Sequence, residues 1–409
     1  MKVKYLYVSS HIFSEAVYRT QILDWLDLYA CNNLDFELVH QFYINPLNIT
    51  FHQDQKRKIK KAYSGRVHFE YIHQNYPIFR PLNKLYTLLF FMRFFWDNDR
   101  VVIFSRADIG REMKFLKGIF GKKLVYYYDL RAAQVDQDLM SIKNKEKFTS
   151  RAYHMVAETA YSEYLRQKIA DKVFCVSNAL RRYNVEQYHA DPDKFVLYPC
   201  LSLHSKFYYS KELRESRRTE LGYSDEDNVY VYSGGVGNAW HVPASFLRLF
   251  DKIARQDAKA KMLVMTVKAT KALYEIIENN MVLKDRVTVL EGVPNADIVG
   301  YLNAGDFGIL LRENFILNNV ASPSKYAEYM LCGLPTIISE AVHDYADYCK
   351  QNNTGIVFSN KDLANLDKCT FVPLSKSQFD RLRIANVAAE KLSKESAAKR
   401  IVEELTVNE

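Results

Sequence analysis

The sequence predicts an α/β protein of two domains, each a parallel sheet with helices on both faces. Three observations lead there. At 409 residues the chain is too long for one ordinary core and suits two domains of about 200 residues. Short apolar runs rich in β-branched and aromatic residues alternate with longer amphipathic stretches almost throughout, the pattern of successive βαβ units. The composition, 48% hydrophobic and 25% charged, is that of a soluble globular protein.

In chain order, Met1-Lys2-Val3-Lys4-Tyr5-Leu6-Tyr7-Val8 opens a first strand at 2–8 rather than a signal peptide. Further strands are expected near 35–41, 66–72, 100–105, 122–128, 172–176 and 194–198. Helices are expected over 15–30, 81–96, 109–118 and about 145–170. Pro199-Cys200-Leu201-Ser202 ends this series, and the charged stretch Lys211 to Glu220 opens a second one. Its strands fall near 228–232, 261–266, 286–290, 306–311, 335–338 and 355–358. The expected domains are 1–205 and 206–375, with a helical segment at 376–409 packing back on the first. Ligands of such sheets bind beyond the carboxyl ends of the strands, so the residues that follow each strand carry the functional information.

The net charge of +8 points to an anionic partner: nucleic acid, a membrane surface or a nucleotide diphosphate. Nucleic acid is disfavoured, because the basic residues are dispersed and no binding motif is present. One cluster, Lys56, Arg57, Lys58, Lys60 and Lys61, reads as a solvated helix face or a contact with an anionic bilayer. The apolar run Leu85 to Trp96, broken by Arg93, falls short of the ~20 residues that span a membrane. It reads as a buried or an interfacial helix, and the expected location is cytoplasmic, at most peripheral to the inner face of the membrane. Tyrosine is abundant, with 29 residues beside 24 Phe; it lines polar clefts or reflects a compositional bias. Cys31, Cys175, Cys200, Cys332, Cys349 and Cys369 form no Cys-x-x-Cys pair and read as reduced, mostly buried thiols.

The strongest motif runs from Asn319 to Pro335. Ser322 suits an N-cap, Pro323 a first helical position and Gly333 a C-terminal stop. The resulting short helix begins just beyond the strand at 306–311, and helix N-termini favour diphosphates. Lys325 in its first turn adds a full charge. Glu328, three residues on and on the same face, is placed for ribose hydroxyls, beside Ser324. Upstream, Tyr232-Ser233-Gly234-Gly235-Val236-Gly237-Asn238 is a strand end with a glycine-rich turn that lets a phosphate approach the backbone. Gly292 and Val293 follow another strand, where backbone groups can read a nucleobase edge. Arg312, after Leu311, suits phosphate.

Tyr232-Ser233-Gly234, Leu311-Arg312-Glu313 and Ser322-Pro323-Ser324-Lys325-Tyr326-Ala327-Glu328-Tyr329 with Gly333-Leu334-Pro335 together resemble the retaining glycosyltransferases of family 4 type. Within that group they are most similar to members acting in bacterial capsule, O-antigen and exopolysaccharide synthesis. The resemblance is specific over about 230–345. It implies the GT-B fold, two Rossmann-like domains whose sheets face a central cleft, and transfer of a sugar from a nucleotide-sugar donor to a glycan or lipid-linked acceptor. The donor would be a substrate, with no cofactor and no metal. It further implies donor binding by Gly234, Gly235, Asn238, Gly292, Val293, Ser322, Ser324, Lys325 and Glu328, and catalysis by Lys325 and Arg312 with Asp129. The chain departs from the wider family at Val320, where the first of two glutamates is expected, and over Gly235 to His241, where an Arg and a Lys are missing. A non-catalytic nucleotide-sugar-binding or scaffold protein and a GT-B epimerase are the alternatives.

In the first domain, Ser10 and His11 follow the first strand, and Arg106 and Asp108 follow Phe104-Ser105. Asp129-Leu130-Arg131-Ala132 keeps the Asp and Arg of a motif found in similar family members. Ser10, His11, Arg106, Asp129 and Arg131 are the acceptor-side candidates. Asp129 would orient an acceptor hydroxyl and Arg131 would pair with an acceptor phosphate, or the two brace the loop by pairing with each other. Asp-x-Asp pairs occur at Asp97–Asp99, Asp136–Asp138, Asp191–Asp193 and Asp225–Asp227. They fall in turns or helix ends, not after a buried strand as a metal-diphosphate site requires.

Overall fold

The computed structural model describes residues 1–44, 49–73, 80–144, 149–236, 243–368 and 374–407. The chain divides into two compact units, Met1–Pro199 with Ala398–Glu409, and Cys200–Ala397.

The first unit is built on seven strands: β1 (Val3–Ser9), β2 (Phe36–Ile44), β3 (Val67–His73), β4 (Arg100–Ser105), β5 (Leu124–Leu130), β6 (Lys172–Cys175) and β7 (Phe195–Leu197). They lie in the order β3-β2-β1-β4-β5-β6-β7, all parallel. Val101, Val102, Ile103 and Phe104 are all buried, because a central parallel strand is covered on both faces. The chain reverses its direction of growth between β1 and β4. The carboxyl ends of those strands, Ser9 and Ser105, therefore flank a topological switch point, where open α/β sheets bind ligands.

Tyrosine goes largely to the cores. Tyr7, Tyr18, Tyr29, Tyr126 and Tyr198 are among the largest fully buried side chains. The Tyr29 and Tyr198 hydroxyls satisfy each other at 2.6 Å, which lets two polar tips be buried together. The helix expected at 15–30 winds as a π-helix over Glu15–Leu23, capped by the Ser14 hydroxyl accepting from Val17 N and Tyr18 N, then as an α-helix over Asp24–Cys31. The helix Arg80–Met92 has two apolar faces: Phe90 and Phe91 are buried, whereas Leu82, Leu85, Tyr86 and Leu89 are exposed. No described helix is long and apolar enough to cross a membrane.

The second unit repeats the plan with β8 (Asn228–Ser233), β9 (Ala260–Thr266), β10 (Val287–Glu291), β11 (Phe307–Leu310), β12 (Thr336–Ser339) and β13 (Gly355–Phe358). Their order is β10-β9-β8-β11-β12-β13, again all parallel, with the switch point between β8 and β11. The charged helix Lys211–Leu221 is anchored beneath this sheet. Arg214 and Arg218 reach Asp306 at 2.6 and 3.2 Å, and Asp306 also accepts the Val229 amide at 2.8 Å.

The terminal segment divides differently from the expected 376–409. Arg381 donates to the carbonyls of Cys332, at 3.1 Å, and Gly305, at 2.8 Å, which keeps the chain through Ala397 in the second unit. Ala398–Glu409 belongs to the first, where Lys172 meets Glu404 at 2.8 Å and Arg400 donates to the Leu197 carbonyl at 3.0 Å.

Candidate functional site

Each unit gathers polar groups at its switch point. In the second, the helix Ser324–Leu331 follows β11, and Tyr329 holds it on the sheet. The Tyr329 ring lies over Gly308, where a Cβ would stand 2.5 Å from it, so only glycine admits this approach. The Tyr329 hydroxyl accepts from Ser233 N at 2.8 Å and ties the helix to the end of β8. Burial raises the pKa of this phenol above its ordinary value, and Tyr232, Glu328 and Arg312 all act on it electrostatically. These groups therefore converge on one point. The Tyr232 hydroxyl donates to the Gly235 carbonyl at 2.8 Å and fixes the turn through Gly234 and Gly235. Burial holds the Arg312 guanidinium below its ordinary value, partly offset by Tyr232 and Tyr329. Its amide donates to Ser339 Oγ at 2.8 Å.

The helix start differs from the expectation. Pro323 is the N-cap and makes no side-chain cap hydrogen bond. The Ser322 hydroxyl instead accepts from Cys200 N and pairs with the Tyr345 hydroxyl, each at 3.0 Å. The buried Tyr345 phenol needs a partner, and Ser322 supplies it. The first turn is thus without a side-chain cap, the condition under which helix N–H groups favour an anion. Lys325 Nζ lies 2.9 Å from Glu328 Oε2; the side chains are 30% and 7% exposed. Ser324 Oγ donates to the other Glu328 oxygen at 3.3 Å. Gly333 ends the helix in the left-handed region, at φ 67°. Gly292 and Val293 stand apart, beyond the edge strand β10, with Gly292 at φ 64° and its amide on the Thr266 carbonyl at 2.9 Å. Val320 is buried. Asn238 lies outside the described residues.

In the first unit, all five acceptor-side candidates line one cavity of about 390 Å³, within the usual range of ligand pockets, roughly 300–1,000 Å³. Asp129, at the end of β5, forms its floor. Its Oδ2 accepts from Tyr7 Oη at 2.7 Å and Arg106 Nε at 3.0 Å, and its Oδ1 from Arg131 Nε at 2.5 Å. Burial alone would raise this carboxyl, but the two guanidiniums hold it below the usual carboxylate range. Its side chain is 0% exposed, so the Asp129 carboxylate is held among these three partners and braces the strand ends. Arg131 packs its guanidinium 4.4 Å from the centre of the Tyr198 ring and pairs with Asp129, a carboxylate it shares with Arg106. The His11 amide donates to Ser9 Oγ at 3.2 Å.

A second buried pair in the same cavity is not apparent from motif reading. On the helix Ser150–Ile169, Glu163 and Arg166 form an ion pair, and Tyr128 Oη donates to Glu163 Oε2 at 2.7 Å. Burial pushes the Glu163 carboxyl up, against the pull of Arg166. The signal available was two charged residues among the apolar positions of a helix, which motif reading assigns to solvent.

No protein-family model matches the sequence, and no curated protein matches it. Solved structures do. HepE of Anabaena in complex with UDP superposes with a TM-score of 0.65 at 14% identity, over 99% of each chain. A glycosyltransferase from Rickettsia africae gives 0.66 at 12% identity over 100% of each chain. WaaG, a glycosyltransferase involved in lipopolysaccharide biosynthesis, gives 0.60 at 15% identity over 99% of this chain and 100% of its own. Identities this low carry the fold alone: the chain has the α/β architecture of the GT-B glycosyltransferases, with parallel sheets of seven and six strands.

Proposed function

We propose that this protein is a glycosyltransferase, hexosyltransferase-like and retaining, that transfers a sugar from a nucleotide-sugar donor to a glycan or lipid-linked acceptor in bacterial surface polysaccharide synthesis. The observation that carries this reading is the helix turn at the β8–β11 switch point. There Lys325, Glu328 and Arg312 surround a helix start without a side-chain cap. HepE, of the same fold, has been solved with UDP and with UDP-glucose, which supports a nucleoside diphosphate at that turn.

In this reading the diphosphate occupies the N-terminus of Ser324–Leu331, with Gly234 and Gly235 against it, and Glu328 accepts from the ribose hydroxyls. The bond between the sugar's C1 and the diphosphate oxygen breaks, and C1 bonds to an acceptor oxygen. The acceptor's hydroxyl proton passes to the departing diphosphate. Lys325 and Arg312 meet the charge that develops on the leaving oxygen, so that preorganised cations do the work a metal does elsewhere. Asp129 acts as a positioning residue, through Arg106.

The same reading places the protein peripherally at an anionic membrane. Leu82, Leu85, Tyr86 and Leu89 recur at the helical spacing of one face and are exposed, and the basic residues of the helix Ile49–Ala62 supply the charge such a surface attracts. The deciding experiment is calorimetric titration with nucleoside diphosphates, followed by transfer assays with the matching nucleotide sugars. Binding with transfer supports the enzyme; binding without transfer or donor hydrolysis favours a carrier; no binding ends the reading.

A further inference from the structure

The cavity of the first unit carries its own statement about what it holds. Its charged lining comprises three arginines, Arg106, Arg131 and Arg166, and four carboxylates, Asp108, Asp129, Asp138 and Glu163. Each arginine is already joined to a carboxylate: Arg106 and Arg131 to Asp129 at 3.0 and 2.5 Å, and Arg166 to Glu163. Asp108 and Asp138 have neutral partners. Asp108 accepts from the Ser162 hydroxyl; Asp138 accepts from the Gln134 amide at 3.0 Å and the Thr159 hydroxyl at 2.9 Å. Among the described residues neither makes an ion pair. Asp108 is exposed and Asp138 half-buried, so both present carboxylate oxygens to whatever enters.

We infer that this cavity selects an uncharged, hydroxyl-rich sugar and rejects phosphorylated or acidic ones. A carboxylate accepts hydrogen bonds but cannot donate them, so Asp108 and Asp138 call for O–H donors, which a sugar supplies in number. A phosphate or uronate brings a like charge to a lining that sets four carboxylates against three arginines, each arginine already paired. Like charges at close range in a partly dry site repel strongly. Ser10 and the amide of Gln137, also on the wall, can donate or accept and suit the same ligand. That this sugar is the acceptor rests on the glycosyltransferase reading; the selectivity of the cavity does not.

The test is a glycan array of neutral, phosphorylated, sulfated and uronate-bearing oligosaccharides, probed with the full-length protein with and without nucleoside diphosphate. The expected result is binding confined to glycans whose terminal sugars are uncharged. Asp138→Asn, which keeps size while losing charge, should bind them about fivefold to tenfold more weakly and tolerate anionic glycans better, with an unchanged melting curve as the folding control. Preference for charged glycans, no glycan binding at all, or an Asp138→Asn variant indistinguishable from the native protein overturns the inference. Neutral-glycan binding without any nucleotide binding leaves the cavity assigned and overturns the proposed enzyme instead.

Discussion

Asp129 and Lys325 both pair with an opposite charge near a switch point, yet their surroundings differ. Asp129 is 0% exposed and enclosed by Tyr7, Arg106 and Arg131. Lys325, 30% exposed, meets Glu328 three residues away on its own helix. A cation enclosed with its partner cannot be reached by a ligand, and losing one member leaves a charge without water, whereas the partly exposed Lys325 stays open to water and to a ligand although Glu328 beneath it is buried. The first arrangement therefore serves stability, and the second is free to exchange its partner for a ligand. Two opposite-charge pairs near the switch points of two similar sheets thus support different roles, and the exposure of the cation separates them.

The largest effect should come from the enclosed charge. Asp129→Asn should cost about 3–5 kcal/mol in chemical denaturation, since Arg106 and Arg131 remain. The native carboxyl is held below its unfolded value of about 3.9, so its contribution is fully present above that pH and disappears as pH falls through the folded value. The gap between native and variant stability should therefore narrow below about pH 4. A variant as stable as the native protein at pH 7 would erase the contrast. Lys325→Ala should weigh on binding more than on folding: nucleoside diphosphate affinity should fall about ten- to hundredfold, or roughly 1.5–3 kcal/mol, while stability falls by less than in Asp129→Asn, because the Ser324 hydroxyl still donates to Glu328. Glu328→Gln should weaken nucleoside diphosphates and leave inorganic pyrophosphate nearly unchanged. Calorimetric constants unaltered by both changes would show the pair to be a structural salt bridge only.

Smaller effects sharpen the comparison. Anionic liposomes should retain the protein at low salt and release it as salt rises, with about 1 kcal/mol lost for each lysine of the 56–61 cluster replaced; flotation without binding at low salt would remove the membrane from the account. Transfer should be unaffected by excess chelator. Loss of activity with EDTA, regained with manganese or magnesium, would show that Lys325 and Arg312 do not suffice.

The strands were legible because a parallel strand is an apolar run with a polar end, a purely local signal. β4 is an example, with Val101 to Phe104 followed by Ser105 and Arg106. The helix after β11 was legible in position but not in its capping. The local pattern favours Ser322 as N-cap, and what displaces it is Tyr345, a buried phenol 23 residues away. The acceptor-side candidates were found one at a time from strand ends, and the sheet order explains why they meet. β1, β4 and β5 are consecutive neighbours, so Tyr7 reaches Asp129 across 122 residues, a distance no local motif encodes. Glu163 and Arg166 stayed hidden for a related reason: charge on a helix reads as solvated until a sheet is packed against it.

The return of Ala398–Glu409 to the unit that begins at Met1 sets an order on biosynthesis. A chain emerging from the ribosome completes the whole of Cys200–Ala397 before the last helix of its first unit exists. Until then β6 lacks the Lys172–Glu404 contact, made across 232 residues, and the Leu197 carbonyl lacks Arg400. Domains usually fold as they emerge, N-terminal first; here the first unit can be finished only after the second. Such long-range closure is slow, and until it happens the first unit lacks Ile401 and Leu405, both buried in the finished fold. A chain cut short before Ala398 should accordingly lose the solubility of its N-terminal unit while leaving the second one folded.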